Sequence, residues 1–73
     1  MKLKDQDILN KIGAKVLKIR SDKNLSQDDV AARCDVDRGK ISKIETGSAN
    51  YYITTLIELA KGLEVDPKEL MDF

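Results

Sequence analysis

Histidine is absent from this chain of 73 residues, and cysteine occurs once, as Cys34. The first gap removes the imidazole on which general acid–base catalysis and many metal sites depend, and the second excludes an internal disulfide. No glycine-rich phosphate loop and no paired nucleophile and base can be found, so neither an enzyme nor a cofactor is expected. Asp28 and Asp29 are better explained by helix N-terminal electrostatics than by acid–base work. No apolar run approaches the roughly 18 residues of a membrane span, and no signal-peptide pattern is present, so the cytoplasm is the expected compartment. Only three aromatics occur, Tyr51, Tyr52 and Phe73. No repeat or low-complexity stretch interrupts the chain, which is short enough for one domain over 1–73 and near the lower limit for a self-sufficient core.

Net charge is also lacking, with 13 basic and 13 acidic residues, whereas nucleic-acid-binding domains are often basic. The distribution is uneven. Residues 1–50 hold 11 basic and 8 acidic groups, a net of +3, and residues 51–73 hold 2 and 5, a net of −3. A partner with negative charge would therefore meet the N-terminal two thirds.

The richest stretch is SQDDVAARCDVDRGKISKIETG, residues 26–47. Ser26 can cap a helix whose Asp29 completes a capping box, and Val30, Ala31 and Cys34 follow at helical spacing. Asp35 falls at a turn, Val36 points inward, and Asp37 can cap a second helix ending near Gly47. Ala31 supplies the small residue expected where the two helices approach, and Cys34 reads as a small buried hydrophobe of the first. Two helices across so short a turn form a helix-turn-helix, whose second helix enters the DNA major groove. On that second helix, at about 38–46, Ile41 and Ile44 share the buried face. Arg38, Gly39, Ser42, Lys43 and Thr46 fall opposite, with Lys40 on a flank. Arg can hold guanine through its two major-groove acceptors, and Ser or Lys can reach base edges or phosphates.

Supporting helices are expected on either side. Ile8 or Leu9, Ile12, Val16 and Ile19 make an apolar stripe over about 5–22, ringed by Lys4, Lys11, Lys15 and Lys18. Asp5, Asp7 and Asp22 weigh against a membrane-surface helix there. A helix over about 53–63 should turn Ile53, Leu56, Leu59, Ala60 and Leu63 inward. Asp66-Pro67-Lys68-Glu69 is a start signal for a fifth, short helix.

From Ile12 to about Met71 the chain resembles the Cro/cI (XRE-type) phage-repressor family. The resemblance lies in IGAKVLKIRSDKNLSQDDVA, VDRGKISKIETGSAN and ITTLIELAKGLEVDPKEL. It implies an all-α, compact five-helix bundle of the lambda-repressor-like DNA-binding type, with helices 2 and 3 as the helix-turn-helix. It further implies that Arg38, Gly39, Ser42 and Lys43 read bases, that Gln27 contacts a phosphate, and that Lys40 and Asn50 lie close to the DNA backbone. Arg20 and Glu45 match a family ion pair tying the first helix to the end of the recognition helix.

The chain departs from the family pattern in three places. Asp35 replaces the usual turn glycine, a position where a left-handed backbone would be tolerated at some strain. Gly39 replaces a long polar reader, weakening the helix by about 1 kcal/mol relative to Ala. Tyr51-Tyr52 stands where a Pro often precedes the fourth helix.

The resulting expectation is a sequence-specific transcriptional regulator of double-stranded DNA, with no membrane partner and no small-molecule effector. A single motif reads few base pairs, so a homodimer on a pseudo-palindromic operator is expected, joined through Tyr51, Tyr52, Met71 and Phe73 while Leu70 closes the core. The competing reading is a protein-interaction module, antitoxin-like or an adaptor, which net neutrality and Gly39 favour.

Overall fold

The computed structural model describes residues 5–73; Lys4, expected beside the first helical stripe, lies outside the described residues. The first helix, α1, runs Asp5–Asp22, and it buries Ile12 and Val16 while Ile8 and Ile19 pack on the edge of the core. It stops in a Schellman motif. Asn24 takes the left-handed conformation (φ 57°), and the Leu25 N–H donates to the Arg20 carbonyl at 3.0 Å. α2 spans Gln27–Ala31 and α3 spans Arg38–Glu45. α4 covers Ile53–Leu63, and a 3-10 helix follows over Pro67–Met71.

The described residues thus form an all-α molecule with four α-helices rather than five. The fifth segment, over Pro67–Met71, is a 3-10 helix anchored at both ends. Asp66 caps it by accepting from the Lys68 N–H, the Glu69 N–H returns to the Asp66 carbonyl, and Leu70 is drawn fully into the core. Between those two anchors, i→i+3 bonds satisfy the backbone without a full α turn.

The core joins Val30 of α2, Val36 of the connecting turn, Ile41 and Ile44 of α3, and Leu56, Leu59, Ala60 and Leu63 of α4. Each fully buried aliphatic contributes about 1.5–3 kcal/mol over its exposed state. Ile53 is not among them. It is 65% exposed in the first turn of α4, and Tyr51 packs against the core just before it.

Two local expectations change as well. α2 ends at Ala31, so Cys34 sits in the bend beyond it, half-buried, with its thiol donating to the Val30 carbonyl at 3.3 Å. Asp35 is not left-handed: Asn24 and Glu64 are the described non-glycine residues with positive φ, and the Asp35 N–H is held by the Glu58 carboxylate at 3.2 Å. Ala31 is half-buried against the core, and two further close approaches, of α1 to α3 and of α4 to α2, fall on glycines. A Cβ at Gly13 would run into the Ile44 and Glu45 carbonyl oxygens, and one at Gly62 would press on Val30 and Cys34. Gly13 therefore sets how closely α1 crosses the end of α3. Among the described residues, no helix is long and apolar enough to cross a membrane.

Candidate nucleic-acid interface

α2 begins with the reciprocal bonds of a capping box: the Ser26 hydroxyl accepts from the Asp29 N–H at 2.9 Å, and the Asp29 carboxylate accepts from the Ser26 N–H at 2.8 Å. The backbone N–H of Ser26, and then its hydroxyl, hold the Asp29 carboxyl below the ordinary carboxylate range. α3 starts as directly, with Asp37 accepting from the Lys40 N–H at 2.8 Å. It ends in a second Schellman motif, with Gly47 left-handed (φ 72°) and the Ser48 N–H donating to the Lys43 carbonyl. Gln6 braces that end from α1, donating to the Gly47 carbonyl at 2.9 Å.

With both ends fastened, the face of α3 is set by its buried side. Ile41 and Ile44 are fully buried, so Arg38, Gly39, Lys43 and Thr46 stand exposed, with Ser42 half-buried at the margin. Lys40 leans to the flank, where its Nζ donates to the Asn50 backbone carbonyl at 3.1 Å, bringing together two positions expected near the DNA backbone. Asp37, Gly39, Lys40, Lys43, Ser48 and Ala49 line a shallow open depression along this face. The cluster can present one guanidinium and two ammonium groups to a groove of acceptors and phosphates.

Behind that face lies the ion pair. The Arg20 Nε and Nη2 donate to the two oxygens of Glu45 at 2.6 and 3.0 Å, and its Nη1 donates to the Leu25 carbonyl at 2.9 Å. The side chains are 16% and 5% exposed, so this is a buried fork-to-fork contact. Hydrogen bonding to Glu45 holds the Arg20 guanidinium above the ordinary arginine range. Gln27 joins the pair by donating an amide N–H to Glu45 at 3.0 Å. One of its two amide hydrogens is thereby committed inward.

Of the four residues expected at a dimer surface, Tyr51 and Tyr52 precede α4, and Met71 and Phe73 lie at the C-terminal end. Tyr51 is half-buried, and its hydroxyl is fully buried without a hydrogen-bond partner among the described residues, so burial pushes its ionisation up. Tyr52 is 83% exposed at the start of α4. Phe73 instead lies against α1, with the Lys11 ammonium 5.9 Å from its ring centre, and Met71 is half exposed on the 3-10 helix. Sequence reasoning missed Ile53 and Ile57, whose exposure extends the apolar surface of Tyr52 along α4. It also missed Asp28, whose carboxylate approaches Arg38. Leu56, Leu59, Ala60 and Leu63 turn inward as expected, but Ile53, expected with them, stands outward beside Ile57 at i, i+4 spacing.

A family model described as a helix-turn-helix domain matches residues 13–72. Control protein C.BamHI of Bacillus amyloliquefaciens is 44% identical over 62 residues, covering 84% of this chain and 76% of its own. The crystal structure of the restriction-modification controller protein C.AhdI from Aeromonas hydrophila superposes with a TM-score of 0.80 at 32% identity, covering 85% of this chain and 94% of that one. The controller protein C.Esp1396I, solved as a tetramer in complex with its natural 35 base-pair operator, superposes with a TM-score of 0.77 at 36% identity, covering 89% and 96%.

Proposed function

This chain belongs to the XRE-type helix-turn-helix family, and from that premise we propose that it is a sequence-specific DNA-binding regulator that controls a restriction–modification system. It is a binding protein and not an enzyme. The carrying observation is the exposed face of α3, where Arg38 and Lys43 project around a bare Gly39 while two buried isoleucines fix the helix's rotation. Arg38 reads a guanine edge, Ser42 and Lys43 add base or groove contacts, and Gly39 lets the DNA approach the helix backbone. Gln27, Lys40 and Asn50 anchor the sugar-phosphate backbone and set the register. The site acts in the cytoplasm, where the DNA is.

The working unit is a two-fold homodimer on a pseudo-palindromic operator, because one short recognition helix reads too few base pairs for useful discrimination. The exposed Tyr52, Ile53 and Ile57 on α4 are the apolar surface such a dimer would cover, and the operator-bound tetramer of C.Esp1396I supports assembly on DNA. Selection from a randomised duplex library tests the reading. A pseudo-palindromic consensus with half-sites about one helical turn apart is expected. Recovery of no consensus would refute DNA reading, and a one-to-one complex on a duplex with both half-sites at saturating protein would refute the dimer.

A further inference from the structure

Asp28 stands in the first turn of α2, and its carboxylate lies 3.7 Å from Nε of Arg38 at the start of α3. The helix does not need it as a cap, since Ser26 and Asp29 already form the capping box. Both side chains are mostly exposed, at 74% and 66%, so the pair sits on the surface that faces DNA in the reading above. A carboxylate there works against phosphate binding unless it serves something else.

The geometry suggests what that is. At this distance the contact is electrostatic steering rather than a hydrogen-bonded clamp. It engages the inner edge of the guanidinium and leaves the two terminal amino groups free. That outer edge is planar and can donate two parallel hydrogen bonds, matching O6 and N7 of guanine. An unsteered arginine can turn to the nearest phosphate instead, which carries no sequence information.

We propose that Asp28 is a specificity-determining positioning residue, which holds Arg38 end-on for a guanine edge and makes its escape to phosphate unfavourable. The inference rests on the DNA-reading proposal. Asp28 does not touch the base; it acts through Arg38.

The test compares the wild type with Asp28→Asn, Asp28→Glu, Arg38→Ala and the Asp28→Asn/Arg38→Ala double variant. Each is measured by competition on duplexes varied one base pair at a time around the selected consensus, and on a random duplex at the same salt. Thermal melting checks that every variant is folded. Asp28→Asn should reduce the preference at the Arg38 base pair by about twofold to fivefold, the scale of an exposed ion pair, while binding the random duplex more tightly. Asp28→Glu, which keeps the charge, should retain the preference. In the Arg38→Ala background Asp28→Asn should alter no base preference and still tighten random binding. In the free protein, Asp28→Asn should shift the Arg38 Nε–H resonance. Uniform tightening with an unchanged preference profile would overturn the proposal, as would a profile change that persists without Arg38. A wild type that selects no consensus would overturn the DNA reading beneath it, a separate and recognisable failure.

Discussion

Glu45→Ala is the substitution from which the structure lets most be worked out. The carboxylate accepts three hydrogen bonds, two from Arg20 at 2.6 and 3.0 Å and one from Gln27 at 3.0 Å, at a position only 5% exposed. Its removal leaves the Arg20 guanidinium with the Leu25 carbonyl as its remaining partner among the described residues, 16% exposed in a site shaped for a pair. Breaking a fully buried pair costs about 3–5 kcal/mol. Water reaches the edge of Arg20, so a loss of about 2–3 kcal/mol is expected here. For a domain of this length, total stability is on the order of 4–11 kcal/mol, so the loss is a large fraction. Urea unfolding followed by circular dichroism should show the midpoint falling by about 2–3 M if the slope is near 1 kcal/mol/M. Arg20→Met/Glu45→Leu, which removes both charges and keeps the volume, should return to within about 1.5 kcal/mol of the wild type. A cycle built from Arg20→Ala and Glu45→Ala should give a coupling above roughly 0.5 kcal/mol. Strict additivity, with each single change under about 0.5 kcal/mol, would refute the pair as a structural tie between α1 and α3.

Other outcomes follow from the same geometry. Arg38→Ala should cost about 1–3 kcal/mol on the selected site and relax preference at one base pair, whereas Lys40→Ala should weaken all sequences alike and reduce the salt slope by about one; a binding titration over salt and sequence separates them. Gly13→Ala should destabilise by about 1–3 kcal/mol, since its Cβ would meet backbone carbonyls that cannot move aside, while Gly39→Ala, meeting only the Asp37 carboxylate at 3.2 Å, should be neutral or gain up to about 1 kcal/mol in melting yet bind the operator less tightly. The Asp29 carboxyl is depressed in the folded state, so its contribution is present above the unfolded-state value and is lost as pH falls through the folded one; the stability slope below about pH 4 should flatten in Asp29→Ala, and an unchanged slope would show that the capping box does not titrate with unfolding.

The sequence alone determined what depends on neighbours along the chain. The stripe Ile12–Val16–Ile19 marked α1, Ser26 with Asp29 and then Asp37 marked two helix starts, and Gly47 marked a stop, because caps and helical periodicity are local patterns written within four or five residues. Ile41 and Ile44 also fixed which side of α3 is turned outward, since two bulky aliphatics three residues apart permit one rotation. Tertiary structure decided what depends on residues far apart in sequence. It placed close approaches at Gly13 and Gly62, because which backbones cross is a property of packing. It exposed Ile53 and drew in Tyr51, and it wound Pro67–Met71 as 3-10 rather than α, because the end of a small core is closed by whichever groups reach it. It also turned Gln27 inward to Glu45 and set Asp28 against Arg38, contacts whose partners are 18 and 10 residues away and which no local pattern could announce.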